Sequence, residues 1–331
     1  MGDTVTVTFA FNRKTLRLRT DFTIAGSHCL LSTNSHNVLR HATPWQAPDK
    51  QDDAPSFEME ILENSSLDSL TGKLPHFRGA RHLVFAMLEP PSFLGFDLLR
   101  RRVIGVLSSA AVHDRSFWNA QLLPITIGLI GTTLGVAPLH CACLDRNGDG
   151  LLLAGLSGAG KSTLSAALAQ RGFALVSDDW TYLSFRQSVL SAHGLAAPLK
   201  LLPNSVRFFP GLAKHAPKKT MNGEIAYKVD ASKLFRSAVK TSSRPRWLLF
   251  LERSSTPGCR FVPCRGEFVT QFFETNAERL PDELPAAKSA RSQIIASLST
   301  CQSFTLRTGD DPHQTAEAIE RFLAEVCRGA R

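Results

Sequence analysis

Three groups of residues have the types and spacing to do chemistry together. The first is the run Gly155, Leu156, Ser157, Gly158, Ala159, Gly160, Lys161, Ser162 and Thr163, which fits the phosphate-loop pattern G-x-x-x-x-G-K-[ST]. Glycines at 155, 158 and 160 let the backbone turn its N–H groups inward as an anion-binding nest. A helix starting near Lys161 adds unsatisfied amides and a favourable dipole. Lys161 is suited to the β/γ-phosphates of a nucleoside triphosphate, Ser162 to the accompanying Mg²⁺, and Thr163 to an α/β-phosphate oxygen. The second group is the adjacent pair Asp178 and Asp179, seventeen and eighteen residues after the lysine. One carboxylate can take the proton of an attacking hydroxyl while the other holds the metal. Read alone, such a pair could equally cap a helix or close a turn. The third is His140, which could orient a base or could be an ordinary core histidine.

The elements needed to bring these groups together can be read from the surrounding pattern. The apolar run 151–154 reads as the strand feeding the loop, and 161–170 as the helix leaving it, closed by Arg171 and Gly172. Residues 173–176 read as the next strand, which delivers Asp178 and Asp179 to the sheet end where α/β ligands gather. Residues 139–144 read as one strand carrying His140. Asn147 to Gly150 then form a tight turn into 151–154. Asp145, Asn147 and Asp149 imitate the start of a calcium loop, but Leu156 stands where a bidentate Glu is needed. Later strands are expected at 181–185, 189–191, 247–251, 259–262 and 303–307, with helices at 286–298 and 312–327. The last has Asp311 as cap, Pro312 in its first turn and Gly329 beyond its end. It puts Ala316, Ile319, Leu323 and Val326 on one face. A helical pattern also begins at Arg115.

The first third reads differently. Residues 4–11, 16–19, 29–31, 57–62, 83–88 and 103–108 are strand-like, and 44–56 is rich in Pro, Asp, Gln and Lys and reads as an exposed loop. This predicts two domains, a mainly β accessory domain over 1–114 and a nucleotide-binding domain over 115–331.

Composition narrows the partners. The 331 residues are 43 % hydrophobic and 20 % charged, an ordinary globular balance, with a formal net charge of +9 that favours anionic ligands. The basic residues are dispersed, with short clusters such as Arg100 to Arg102 and Lys218–Lys219 and no interleaved aromatics, so no nucleic-acid partner is expected. Seven cysteines are an odd number for a disulfide framework. Neither the Cys141/Cys143 pair nor the Cys259/Cys264 pair has zinc-site spacing. Residues 122–137 are too short and too interrupted by proline and glycine to span a membrane comfortably. A soluble, cytoplasmic protein with no membrane partner is expected.

Pro138, Leu139, His140, Cys141 and Ala142, the hairpin, the phosphate loop and the run from Arg171 and Gly172 to Asp178 and Asp179 together resemble the kinase domain of HPr kinase/phosphorylase. They resemble the HPr-kinase-related proteins more closely still. The resemblance covers 137–185 and fades beyond. It implies an α/β P-loop kinase domain of the HPr kinase/phosphoenolpyruvate carboxykinase type, preceded by a mainly β (α+β) N-terminal domain. It implies ATP as donor, Mg²⁺ as cofactor and a hydroxyl, such as that of a serine, on a peptide, protein or small molecule as acceptor. A homo-oligomer is also implied. By motif position, Asp178 would be the base, Asp179 its partner on the metal side with Ser162, and His140 a supporting catalytic residue. Two departures stand out. Thr163 replaces an acidic residue, and the family's later Glu followed by Arg-Gly-x-Gly has no counterpart between Gly194 and Val229. The positive charge at the transferring phosphoryl is therefore open among Lys200, Arg207, Arg244 and Arg246. A nucleotide-binding regulatory or scaffold module without efficient transfer is the alternative, and a carboxykinase or hydrolase a third.

Overall fold

The computed structural model describes residues 13–43, 54–65, 75–89, 92–195, 198–220, 223–235, 238–254, 258–277, 280, 282 and 284–329. The strand expected at 4–11 and most of the loop at 44–56 lie outside them. The chain divides into two compact units, Met1–Trp118 and Asn119–Arg331. The sequence expectation set the boundary after residue 114. Among the described residues no helix is long and apolar enough to cross a membrane. All seven cysteines are free.

In the first unit the described strands are β1 (Leu18–Ile24), β2 (Ser27–Thr33), β3 (Phe57–Asn64), β4 (His76–Ala80), β5 (Leu83–Glu89), β6 (Ser92–Asp97) and β7 (Arg102–Ser108). They form one sheet in the order β1-β2-β3-β7-β6-β5-β4. The β2–β3 and β3–β7 pairs are parallel. Helix α1 (His36–Ala42) follows β2, capped by the Ser35 hydroxyl accepting from the Val38 N–H. Helix α2 (Ser109–His113) and the turn α3 (Arg115–Phe117) follow β7. Phe22, Leu31, Phe57, Met59 and Ile61 are buried.

The second unit is a mixed α/β fold. Its main strands are β8 (Val136–Leu139), β9 (Ala142–Arg146), β10 (Asp149–Ala154), β11 (Ala174–Ser177), β12 (Thr181–Arg186), β13 (Val189–His193), β17 (Ser242–Arg253), β18 (Arg260–Pro263) and β19 (Gln302–Thr308). They form a sheet in the order β11-β9-β10-β17-β13-β12-β8, with β19 also on β17 and β18 on β19. The β10–β17 and β17–β19 pairs are parallel, so three strand ends point the same way. Helices α4 (Leu123–Thr133), α5 (Lys161–Gln170), α6 (Ala231–Leu234), α7 (Gly266–Thr275), α8 (Pro285–Ser297) and α9 (Pro312–Gly329) complete the unit. A small sheet, β14 (Leu199–Leu201), β16 (Ile225–Val229) and β15 (Lys218–Lys219), lies in the order β14-β16-β15.

The unbroken apolar run of β10 follows from burial on both faces. Leu151 and Leu153 enter a core with Leu164 and Leu168 of α5 and Ile319 and Leu323 of α9. Leu152 and Ala154 enter a second core with Val269 and Phe273 of α7 and Ile294 and Ile295 of α8. β10 is thereby held from two sides, and the loop that leaves it inherits a fixed base.

One expected element divides in two. Residues 139–144 are not a single strand, because β8 ends at Leu139 and β9 begins at Ala142. The Cys141 N–H donates to the Leu139 carbonyl at 2.9 Å, a tight local turn around His140. β8 then pairs with β12, whereas β9 pairs with β10 and β11, and one straight strand cannot serve both places. The expected turn at Asn147 is present, with Asn147 at φ 58° and Gly148 at φ 95°. Asp145, the first residue of the calcium-like run, is buried and accepts from Lys240 Nζ at 2.5 Å, Ser243 Oγ at 2.5 Å and the Gly148 N–H at 3.1 Å. It fixes the hairpin to β17. Helix α9 includes Gly329, which the sequence pattern set beyond its end.

Candidate active site

Gly155, at φ 149°, leaves β10 where an added Cβ would come within 3.1 Å of the Leu251 carbonyl oxygen. Gly160, at φ 98°, stands immediately before α5, whose first turn has no side-chain cap. Capping side chains usually satisfy such amides. Amides without such a cap at a helix N-terminus suit an anion. The Lys161 ammonium donates to the Gly155 carbonyl at 2.9 Å and the Leu156 carbonyl at 3.4 Å, folded back across its own loop. Burial lowers its pKa from the usual value, against the opposing pull of Asp179 and Asp178.

The loop faces a cleft of about 280 Å³. Ser157, Gly158, Ala159, Gly160, Lys161, Ser162 and Thr163 line it, with Asp178, Asp179 and His140. Gly155 and Leu156 do not. They border a second cleft, which His140 and Ser157 share with the first. Thr163 is paired with Ser205, hydroxyl to hydroxyl at 3.3 Å.

The two aspartates have different surroundings. β11 ends at Ser177, so Asp178 and Asp179 stand just past the strand. Asp178 is buried, and its Oδ2 accepts from the Lys200 N–H at 3.0 Å. Its Oδ1 is buried and has no hydrogen-bond partner among the described residues. Burial pushes the carboxyl up to about 7, against the pull of the Lys200 amide and the Ser162 hydroxyl and helped by the charge of Asp179. The Asp179 side chain is 58 % exposed and its Oδ1 lies 2.8 Å from His140 Nε2. That hydrogen bond holds its carboxyl below the usual range, against partial burial. The His140 ring also lies 5.5 Å from that of Trp180.

The region that lacked a family signature supplies much of the cleft wall. Lys200 on β14, Asn204, Ser205 and Arg207 on a short 3₁₀ turn, and Glu224 before β16 all border the cleft. Lys200 is paired with Glu224. Arg207 lies with its guanidinium 4.5 Å from the Phe208 ring centre. Arg244 and Arg246 do not belong here. Arg244 pairs in register with Asp149 at the start of β10, and Arg246 makes an ion pair of 2.9 Å with Asp149. The loop is at the other end of β10. Arg253, at the far end of the same β17, borders the cleft instead. Seven residues of strand place it roughly 23 Å from Arg246. Thr308 at the end of β19, with Gly309 and Asp310 just past it, completes that side. The cue for Arg253 and Asp310 was available, since residues just past parallel strand ends gather at ligand sites.

Among the described residues no three His, Cys, Asp or Glu side chains converge as a metal cage. Mg²⁺ does not need one, being commonly held by one or two carboxylates with phosphate and water. The Ser162 hydroxyl and the ionised Asp179 carboxylate, both lining the cleft, fit a hydrated cation beside a phosphate chain.

No family model matches the chain, and no curated protein matches it. Among solved structures it is similar to the Hpr(Ser) kinase/phosphatase from Coxiella burnetii, at 17 % identity and a TM-score of 0.31, over 58 % of this chain and 97 % of that one. At that TM-score the likeness assigns neither activity nor substrate to this chain, and both must come from the site itself.

Proposed function

We propose that the chain is an ATP- and Mg²⁺-dependent phosphotransferase that moves the γ-phosphoryl group to a hydroxyl, such as that of a serine. The observation that carries this reading is the contrast within the acidic pair beside the phosphate loop. Asp178 is held near neutrality by burial, while Asp179 is kept ionised by His140. Paired carboxyls whose environments push their pKa values apart divide acid–base work between them. A base poised near 7 suits removal of a hydroxyl proton at neutral pH.

Lys161 leaves the carbonyls of Gly155 and Leu156 for the β/γ-phosphates, and the loop amides hold the phosphate oxygens. The acceptor oxygen bonds to the γ-phosphorus as the β–γ bridging bond breaks, and its proton passes to Asp178. ADP leaves with the bridging oxygen. Mg²⁺, held by Ser162 and Asp179, would neutralise charge developing between the β- and γ-phosphates. Lys200, Arg207 and Arg253 border the cleft where the transferring group would lie, and Arg253 makes no ion pair among the described residues. His140 orients Asp179 through their hydrogen bond. Incubation with γ-labelled ATP and extract of the producing cell tests the reading. A labelled acceptor is expected, and triphosphate binding with no labelled species would leave only a nucleotide-binding module.

A further inference from the structure

The second cleft, of about 250 Å³, is lined by Pro138, Leu139, Leu156, Phe272 and Phe273, with Asn276 beside them and His140 and Ser157 at its junction with the first. Its character is apolar. Phe273 is buried, Phe272 is half-buried, and Leu156 is 68 % exposed on the phosphate loop itself. Phe250 packs edge-on against Phe268 and Phe272, both at 4.9 Å, so the aromatic wall is anchored to β17. A large exposed leucine on a loop that handles phosphate has no use for the phosphate. It makes sense as one wall of an apolar site.

The two clefts divide the loop between them. Thr163, Asn204, Arg207 and Thr315 border the first, and Gly155 and Leu156 border the second. His140, hydrogen-bonded to Asp179, stands at the junction. A nucleotide in the first cleft leaves the second as the adjoining space, with His140 and Ser157 bordering both. Its volume lies below the ~300–1,000 Å³ typical of drug-sized ligands, enough for one large side group. Resting on the phosphotransferase reading, we propose that this cleft receives a large apolar side group carried next to the acceptor's hydroxyl, so that the acceptor is a seryl peptide or small alcohol with an aromatic or branched neighbour. Pro138, Leu139, Leu156 and Phe272 select it, and Asn276, whose Nδ2 donates to the Phe272 carbonyl at 2.7 Å, sits at the exposed rim.

The test is calorimetric titration of the full chain, with and without a non-hydrolysable ATP analogue. The probes are two blocked peptides that differ only in phenylalanine or alanine beside the serine, and phenylalaninol. The phenylalanine peptide is expected to bind at least tenfold more tightly than the alanine peptide. Phe272→Ala and Asn276→Trp, which fills the cleft from its rim, are each expected to bring the two to within twofold. Asn276 is exposed, so its variant serves even where Phe272→Ala fails to fold. Phenylalaninol binding as tightly as the phenylalanine peptide supports the inference and assigns a small alcohol. Equal affinity of the two peptides, or a preference that survives both substitutions, overturns it. Failure of the analogue to bind overturns the phosphotransferase reading instead, because peptide binding is also read without nucleotide.

Discussion

His140 Nε2 lies 2.8 Å from Asp179 Oδ1, across 39 residues of sequence. The contact exists because the chain turns between β8 and β9, leaving the histidine at the same sheet end as the residues that follow β11. It separates the two carboxyls chemically, since at Asp178 burial outweighs the Lys200 amide and the Ser162 hydroxyl, whereas at Asp179 the histidine contact dominates.

Loss of that contact should raise the pKa of Asp179, because His140 is the largest influence lowering it. His140→Ala is expected to reduce kcat about 10- to 100-fold, the scale for losing a partner that orients a ligating carboxylate. Carboxyl NMR titration should show Asp179 protonating at higher pH than in wild type. His140→Gln, which keeps a donor near the Nε2 position, should recover part of both effects. An unchanged Asp179 titration in the alanine variant would refute the role.

The pH profile follows from Asp178. A base with a pKa of about 7 is protonated and inactive below it, so kcat/KM should fall about tenfold per pH unit on the acid side, with the bend near 7. Folding should respond in the opposite sense. The folded pKa is raised above the unfolded value, so the group's stabilising contribution is fully present below the ordinary carboxyl range. It is lost as pH rises through 7. Asp178→Asn should therefore raise stability at pH 8 by on the order of 4 kcal/mol, while leaving it little changed at pH 4. Denaturant titrations at the two pH values check this, and destabilisation at pH 8 would argue against a strained buried carboxylate.

The two ends of β17 should behave differently. Arg253→Ala is expected to lower kcat by about 10²–10³-fold, the scale for removing one group that stabilises the transferring charge. Arg246→Ala should leave transfer within twofold and cost about 0.5 kcal/mol, as its ion pair with Asp149 is partly exposed. Steady-state kinetics on both variants decides whether the cleft end of the strand is the functional one.

Gly194 should tolerate no side chain. A Cβ there would stand 1.6 Å from the Val176 carbonyl oxygen, two residues before Asp178. Gly194→Ala is expected to destabilise the fold by at least ~2 kcal/mol and to disturb Asp178, through an overpacking clash against backbone. A thermal melt within one degree of wild type would show that the approach of the two segments is not required.

The phosphate loop, the aspartate pair and His140 were legible because each lies in a short run whose residue types state their chemistry. The strand at 151–154 and the helices 161–170 and 286–298 were legible from burial pattern and end signals. What escaped was carried by distant pairing. Arg253 becomes part of the site only because β17 lies parallel to β10 and ends beside the loop. Lys200 stood among the four cations that the sequence left open, and β14 places its N–H on Asp178. Helix α7 escaped for another reason. Residues 266–275 are rich in Phe, Val and Thr, which are indifferent helix formers, and the burial of Val269 and Phe273 decides their conformation. The turn at His140 was hidden inside an apolar run that reads as one strand.

The central claim is that Asp178 takes the acceptor's proton during transfer from a triphosphate held by the loop. Transfer of label from γ-labelled ATP, measured side by side for wild type and Asp178→Asn at pH 8 with ATP affinity determined for both, tests it most directly. ATP affinity equal within about threefold is expected, with labelling of the acceptor reduced at least ~10³-fold in the variant. Labelling that persists in Asp178→Asn at the wild-type rate would contradict it.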